Sequence, residues 1–135
     1  MSIEEIFDNY NTIAVYGMSK QPYKPSHTVP LFMKKQGYNV IPINPTTGQI
    51  SNLTAYKNIA DIPEEIDILN VFRPSEVALD VIKEAVERKN TRGDIKVIWL
   101  QQDIVSPEGK LLAEANGIEY IEDKCMYREY IILSK

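Results

Sequence analysis

Short apolar runs alternate along this chain with segments in which apolar residues recur every three or four positions. Apolar runs rich in β-branched residues and bounded by turn residues are typical of strands buried on both faces of a sheet. Recurrence every three or four positions is typical of helices with one apolar face. The pattern predicts strands at residues 12–16, 39–43, 66–72, 95–100 and 118–121.

Capping signals mark two of the helices between these strands. Ser2, with Glu5 three positions later, has the pattern of a capping box before a short first helix. Ser106 followed by Pro107 predicts the start of another helix, and Gly117 predicts its end. Residues 46–52 are turn-rich and predict no regular element.

Two further helices follow from the apolar spacing alone. One ends before Gly37 and contains Pro30. A proline fits the first helical turn, where its missing N–H would have no partner, so we predict that this helix begins at His27 or Thr28. The other helix is the clearest amphipathic segment of the chain, and we predict that Ser75 is its N-terminal cap.

Strands and helices that alternate this regularly predict a single α/β domain. Crossover connections between parallel strands are right-handed in nearly all cases and leave helices on both faces of the sheet. We expect a Rossmann-like, doubly wound fold with a mostly parallel sheet of about five strands. The chain has 135 residues, 44% of them hydrophobic, which suits one domain over residues 1–135 and leaves no room for a second.

The charge balance and the cysteine count narrow the classes of partner. A net charge of -4 and a pI near 5.0 argue against a nucleic-acid partner but leave room for one small phosphorylated ligand. No apolar run approaches the roughly 20 residues that span a bilayer, so we expect no membrane partner. The lone Cys125 and a start without signal-peptide features favour the cytoplasm.

The loop after the first strand is a candidate phosphate site. In doubly wound sheets, ligands lie at the carboxyl ends of the strands. Gly17 begins this loop. It is the single glycine of the loop, whereas the dinucleotide fingerprint has three. Hydroxyls at Ser19 and Ser26, lysines at Lys20 and Lys24 and the start of the next helix all suit a phosphate. A solvated strand-to-helix connection is the alternative interpretation.

The end of the second strand disfavours a nicotinamide dinucleotide. Such sites usually place a carboxylate there to bind the ribose hydroxyls. This chain has Asn44 and Pro45 instead, and Asn44 either shapes the loop or donates to a phosphate. An NAD(P)-dependent oxidoreductase, or another nucleotide-binding Rossmann protein, is the alternative function.

The third and fourth strands also end in candidate residues. Phe72 offers a flat face for adenine, Arg73 offers donors for phosphate, and Pro74 turns the chain into the next helix. Core packing by Phe72 and a surface ion pair of Arg73 are the alternatives. Gln101 ends the fourth strand and is expected to point toward the same crevice, whereas Trp99 is expected in the core.

Six blocks of this sequence together carry a family resemblance. They are residues 13–19, 37–45, 61–63, 71–73, 99–101 and 123–125. In this order they resemble the small stand-alone CoA-binding proteins, which are similar to the CoA-binding domain of the succinyl-CoA synthetase α subunit. The likeness extends from about residue 12 to residue 125.

The resemblance implies that the chain binds coenzyme A or an acyl-CoA, and it implies no particular reaction. The first loop would lie beside the CoA phosphates, the second and third loops would flank the nucleotide, and the fourth would lie near the pantetheine. The residues implied are Gly17, Met18, Ser19, Lys20, Lys24, Ser26, His27, Asn44, Pro45, Phe72, Arg73, Pro74 and Gln101.

Three positions depart from the usual blocks of that family. Met18 stands where alanine is usual, and Lys124 stands where arginine is usual. Asp103 stands where glycine is common, and its carboxylate would repel a phosphate that came close. We therefore expect an altered or weaker site if the ligand reaches Asp103.

The chain offers few residues for catalysis. It has one histidine and one cysteine, without H-x-x-x-H or C-x-x-C spacing, so we expect no metal site and no catalytic residue. His27 is an acid, a phosphate ligand or a helix-cap residue. Cys125 is either a small buried residue or a partner for the CoA thiol in a mixed disulfide. We expect a carrier or regulatory module, and a homodimer is compatible with the sequence.

Overall fold

The computed structural model describes residues 1–134, which form five α-helices, seven strands and one 3-10 turn. The helices are α1 (Ile3–Asn9), α2 (Pro25–Lys35), α3 (Ser75–Arg92), α4 (Pro107–Ala115) and α5 (Met126–Ser134). The strands are β1 (Thr12–Tyr16), β2 (Asn39–Ile43), β3 (Gln49–Ile50), β4 (Leu53–Thr54), β5 (Ile68–Val71), β6 (Val97–Leu100) and β7 (Glu119–Ile121). The 3-10 turn spans Ile59–Asp61.

Five strands form one parallel sheet in the order β2-β1-β5-β6-β7, which confirms the doubly wound α/β fold. From β1 the chain first crosses through α2 to β2, and it then returns past β1 to β5 and continues to β6 and β7. The direction of winding therefore reverses between β1 and β5, which is where sheets of this class bind ligands. β3 and β4 form a separate antiparallel hairpin.

Two apolar clusters, one on each face of the sheet, bury the strands. Ala14 belongs to the cluster that α3 and α4 cover, whereas Ile13 and Val15 belong to the cluster that α1, α2 and α5 cover. Neighbouring residues of β1 alternate in this way because successive side chains of a strand point to opposite faces. Trp99 is fully buried, as expected, and its Nε1 donates to the carbonyl oxygen of Lys124 at 2.9 Å.

The two predicted N-terminal caps are confirmed. The hydroxyl of Ser2 accepts from the N–H of Glu5, and the Glu5 carboxylate accepts from the N–H of Ser2, which completes the capping box. The hydroxyl of Ser106 accepts from the N–H of Gly109 at 3.0 Å, so Ser106 caps α4. Each cap satisfies an N–H group that has no partner within its helix.

The predicted cap at Ser75 is wrong. Ser75 is the first residue of α3, and Pro74 occupies the cap position with an extended backbone. The Ser75 hydroxyl accepts instead from the N–H of Val105 at 3.0 Å, which lies in the loop between β6 and α4. Sequence spacing could not reveal this bond because its two residues are 30 positions apart.

The predicted start of α2 is also wrong. The helix begins at Pro25, with Lys24 in the cap position, so Pro30 lies in the helix interior. A proline there leaves the carbonyl oxygen four residues earlier, that of Ser26, without its intrahelical donor. The N–H of Ser19 donates to this oxygen at 3.2 Å, which ties the loop after β1 to α2.

The strand boundaries and the C-terminal region differ from the prediction as well. β5 and β6 begin two residues later than the apolar runs, at Ile68 and Val97. No helix was predicted after β7, although Met126, Tyr130 and Leu133 have the spacing of one apolar face in α5. The ring of Tyr130 packs edge-on against Phe7 of α1, with 5.3 Å between the centroids.

A buried ion pair fixes the segment that leads from the hairpin to β5. Arg88 of α3 lies 2.9 Å from Asp94, and both side chains are almost fully buried. The Asp94 carboxylate also accepts from the N–H of Ile66. The Arg88 guanidinium donates in addition to the carbonyl oxygens of Ile59, Ile62 and Glu64.

Replacing Arg88 should destabilise the fold strongly. Arg88→Met leaves the buried Asp94 carboxylate without its cation and removes the hydrogen bonds from Arg88 to three carbonyl oxygens, so we expect a loss of about 3 to 5 kcal/mol in the free energy of unfolding. Urea denaturation of the variant and the parent measures this loss. The control is Glu119→Gln, which breaks the exposed pair with the amine of Met1 and should cost less than about 1 kcal/mol. Equal losses in the two variants would contradict this interpretation.

Candidate functional site

A crevice of about 400 Å³ lies at the carboxyl ends of β1, β2 and β5. It contains the point between β1 and β5 where the direction of winding reverses. The residues that line it are Tyr16, Gly17, Met18, Ser19, Ile43, Asn44, Pro45, Thr46, Lys57, Asn58 and Arg73. We call it the strand-end crevice. It is the expected location of a ligand in this class of sheet.

The strand-end crevice is positively charged. Two of its lining residues, Lys57 and Arg73, are cations, and none is an aspartate or a glutamate. Both cationic side chains are exposed, and neither has a hydrogen-bond or ion-pair partner within residues 1–134. In a chain with a net charge of -4, this local excess of positive charge favours an anionic ligand.

Gly17 lets Arg73 approach the end of β1. Gly17 has φ +91°, in the region that L-residues rarely adopt. A Cβ placed on it would lie 3.0 Å from Cδ of Arg73 and 3.6 Å from the carbonyl carbon of Phe72. The Arg73 side chain therefore crosses directly over the turn after β1, and it occupies the space that any larger residue at position 17 would need.

The loop after Gly17 is partly closed by its own hydrogen bonds. Besides the bond from Ser19 to Ser26, the hydroxyl of Ser19 accepts from the N–H of Gln21 at 3.0 Å. The backbone N–H groups of Met18 and Lys20 have no partner within the described residues. The loop therefore does not use these two N–H groups in its own hydrogen bonds. The Met18 side chain is fully buried in the core, so it does not extend along the path of a ligand.

His27 connects the loop after β1 to the hairpin. The ring is buried, with Nδ1 2.7 Å from the carbonyl oxygen of Ser19 and Nε2 3.2 Å from the hydroxyl of Ser51. A carbonyl oxygen only accepts, so Nδ1 carries the proton, and in the neutral ring Nε2 accepts from Ser51. Both ring nitrogens are therefore engaged with the protein itself.

Asn44 connects the loops after β1 and β2. Its Nδ2 donates to the carbonyl oxygen of Met18 at 2.9 Å, and its Oδ1 accepts from the N–H and the hydroxyl of Thr46 at 2.8 and 2.7 Å. Of the two roles left open by the sequence, the structure contains the loop-shaping one. The second hydrogen of Nδ2 has no partner within residues 1–134, so Asn44 shapes the loop and keeps one free donor.

Several residues predicted for the site lie outside the crevice lining. Gln101 is buried, and its Oε1 accepts from Nδ2 of Asn70 at 3.4 Å and from the N–H of Met126 at 3.3 Å. Phe72 packs against the core. The remaining residues of this group are Lys20, Lys24, Ser26, His27 and Pro74.

The structure adds residues that the sequence did not indicate. Thr46, Lys57 and Asn58 line the crevice, although 46–52 read only as turns and no pattern marked 57 or 58. Asp103 lies outside the lining and has φ +70°, which explains why glycine suits this position. Its N–H donates to the carboxylate of Asp123 at 2.7 Å.

Neither a metal cluster nor a membrane span is found within residues 1–134. No group of three or more histidine, cysteine, aspartate or glutamate residues in this range lies close enough to hold a metal ion. None of the helices in the same range is both long and apolar enough to cross a bilayer. Cys125 is a partly buried free thiol, and it does not line the crevice.

A second crevice, of about 450 Å³, lies between α3 and the 3-10 turn. Its two arginines, Arg88 and Arg92, both donate to backbone carbonyl oxygens of the 3-10 segment. Glutamates 84 and 87 also line it. With its cations engaged and two carboxylates in its lining, this second crevice suits an anion less well than the strand-end crevice.

Comparison with known proteins gives one family and several close structural neighbours. A family model described as a CoA binding domain matches residues 11–131. The chain is 36% identical over 124 residues to the uncharacterized protein YneT of Bacillus subtilis, covering 92% of this chain and 88% of YneT. It is 28% identical over 125 residues to the α subunit of ADP-forming acetate–CoA ligase I of Pyrococcus furiosus, covering 88% of this chain but only 25% of that subunit.

Solved structures resemble the whole chain. A hypothetical protein from Pyrococcus horikoshii has a TM-score of 0.89 at 25% identity, over 100% of this chain and 94% of that one. A Thermus thermophilus protein has a TM-score of 0.89 at 32% identity, over 97% of this chain and 96% of that one. Both share the Rossmann-like arrangement of five parallel strands between helices.

A methyl group at position 17 should both strain the backbone and displace Arg73. A left-handed backbone costs an L-residue about 1 to 2 kcal/mol. We expect Gly17→Ala to lower the free energy of unfolding by more than this. Gly37→Ala is the matched control, because Gly37 has φ +104° but open space around it. Urea denaturation of both variants isolates the contact with Arg73. A loss at position 17 no larger than that at position 37 would contradict the close approach.

Tyr16 should make stability depend on alkaline pH. Burial, followed by the hydrogen bond to Glu84 at 2.8 Å, raises the pKa of Tyr16 to about 12. An unfolded tyrosine has a pKa near 10, so the folded state retains the proton more strongly. The stabilisation is complete below about pH 10 and is lost as the pH rises toward 12.

Unfolding by urea at pH 8 to 12 measures this effect. Tyr16→Phe should lose stability less steeply above pH 10 than the parent protein does. Tyr23→Phe removes an exposed hydroxyl and is the matched control, with an expected slope equal to that of the parent. Parallel curves for Tyr16→Phe and the parent would refute the role of Tyr16.

Proposed function

This chain belongs to the CoA binding domain family, and we propose that it binds coenzyme A or an acyl-CoA in the strand-end crevice. The observation that carries the proposal is the positive lining: Lys57 and Arg73 are without ion-pair partners in the described part of the chain, and none of the lining residues is a carboxylate. Coenzyme A is an adenine nucleotide with several phosphate groups, and such a ligand requires cations and N–H donors.

The proposed position of the diphosphate is the turn after β1. Arg73 crosses Gly17 there, and the N–H groups of Met18 and Lys20 are unpaired within residues 1–134. A guanidinium offers a planar pair of donors to phosphate oxygens, and backbone amides beside a glycine turn can approach them closely. The lysine-bearing loop, with Lys20 and Lys24 exposed, would add a weaker long-range attraction.

We propose a carrier or regulatory role rather than catalysis by this chain alone. The histidine that could act as a base, His27, is buried with both ring nitrogens bonded to the protein. Cys125 lies outside the crevice lining. The groups that line the crevice are suited to holding and orienting anions, and the described residues offer no nucleophile with an adjacent base there.

The geometry favours this ligand over NAD. An NAD site needs an acceptor for the two ribose hydroxyls at the end of the second strand. Asn44 occupies that place, its Oδ1 already accepts two hydrogen bonds from Thr46, and the crevice lining has no carboxylate to replace it.

Calorimetry with CoA and acetyl-CoA tests the proposal. We expect saturable binding, and removal of the guanidinium in Arg73→Gln should weaken it at least tenfold, since a hydrogen bond to a charged group contributes about 1.5 to 3 kcal/mol. Arg128→Gln is the control, because Arg128 is an exposed arginine of α5 outside the crevice lining. Its affinity should equal that of the parent.

Thermal unfolding provides an independent readout, because a ligand that binds only the folded protein raises the Tm by mass action. CoA should raise the Tm of the parent protein, and NAD should not. Stabilisation by NAD without stabilisation by CoA would reverse the assignment. Absence of binding to CoA and to its thioesters would remove the proposed function.

A further inference from the structure

We infer that Lys57 is the residue that recognises a phosphate on the ribose, so that the strand-end crevice selects ribose-phosphorylated adenine nucleotides over those with free ribose hydroxyls. The inference rests on the proposed function and adds a specificity-determining residue to it. Three observations support it: the position of Lys57, its lack of a partner among the described residues, and the hydrogen bonds that its polar neighbours make with each other.

Lys57 lies beside the carboxyl end of β2 although it belongs to a different part of the chain. Tyr56, the residue before it, forms a parallel bridge with Ile43, the last residue of β2. The N–H of Asn44 donates to the carbonyl oxygen of Tyr56 at 2.8 Å, and the N–H of Tyr56 donates to that of Pro42 at 3.0 Å. These bonds hold the backbone at residue 57 next to the β2 end without using the Lys57 amine.

The end of the second strand is the place where sheets of this class distinguish one ribose from another. A carboxylate there accepts hydrogen bonds from the free hydroxyls, whereas a nearby cation accommodates a phosphorylated ribose. In this chain the position has no carboxylate, and both Asn44 and the hydroxyl of Thr46 are engaged with each other. The uncommitted group beside them is the Lys57 ammonium, which fits the phosphorylated case.

Arg73 and Lys57 are placed to bind different groups of one ligand. Arg73 follows β5 and Lys57 adjoins β2, and β1 lies between those two strands in the sheet. The segment of Tyr56 pairs with the edge of β2 that faces away from β1, so three strand spacings of about 4.8 Å, about 14 Å in total, separate the backbones near Lys57 and Arg73. Arg73 can therefore bind a diphosphate at Gly17, while Lys57 binds a separate phosphate on the ribose of the same ligand.

The experiment compares CoA with 3′-dephospho-CoA by calorimetry on the parent protein and on Lys57→Met. We expect the parent to bind CoA at least tenfold more tightly than 3′-dephospho-CoA. Lys57→Met should bind both ligands within about threefold of each other, with its affinity for 3′-dephospho-CoA close to that of the parent. Lys57→Arg, which keeps the charge, should retain most of the preference for CoA.

Lys83→Met controls for net charge, because Lys83 is an exposed lysine of α3 outside the crevice lining. It should keep the full preference of the parent. Adenosine 3′,5′-bisphosphate and 2′,5′-bisphosphate, measured in the same way, identify the ribose position that Lys57 recognises. Tighter binding of the 3′,5′ isomer, lost in Lys57→Met, supports the inference together with CoA as the ligand.

The failures of the two proposals are distinguishable. A parent protein that binds neither CoA nor 3′-dephospho-CoA defeats the proposed function. A parent that binds both equally, or a Lys57→Met variant that keeps the preference for CoA, leaves the proposed function intact and overturns the role of Lys57. An equal loss of affinity for both ligands in Lys57→Met would show general attraction rather than recognition, and it also overturns the inference.

Discussion

The positive φ of Gly17 is the constraint on which the candidate site depends. The chain must turn away from the sheet at the end of β1, and Arg73 must cross this turn at contact distance. A residue without a Cβ meets both requirements at once. Because Gly17 permits the approach, a guanidinium from the loop after β5 and the turn after β1 border the same crevice.

The protein braces the loops around this crevice with its own polar groups. Asn44 uses both the oxygen and the nitrogen of its side-chain amide, and His27 uses both ring nitrogens. The carbonyl of Ser26 is available to Ser19 because Pro30 cannot donate to it. Loops ordered in advance lose less entropy when a ligand binds. What remains uncommitted at the crevice includes two cations, Lys57 and Arg73, which give the surface the character of an anion site.

The sequence was most informative about the fold class and about the strand ends, where the determinants are local. Strand and helix periodicity led to the fold class, and the strand-end rule for parallel sheets led to Gly17 and Arg73. Lys57 was missed because it reaches the crevice through the pairing of Tyr56 with Ile43, across a hairpin that reads only as turns. The role of His27 stayed open for a similar reason, since its partner Ser51 lies 24 positions away and a histidine fits several roles. Gln101 was expected in the crevice because strand ends point there, yet Asn70 and the start of α5 hold it in the interior.

The placement of charge explains how a chain with a net charge of -4 presents an anion site. Repulsion by distant carboxylates is screened over about 10 Å in salt solution, whereas the groups that line the crevice act at contact. Glu84 is hydrogen-bonded to the hydroxyl of Tyr16, but it is not itself part of the lining. Local composition therefore sets the sign of the potential that a ligand meets. A polyanion spans many screening lengths and would meet the whole acidic surface, but the phosphates of one nucleotide would contact only the lining, which contains two cations and no carboxylate.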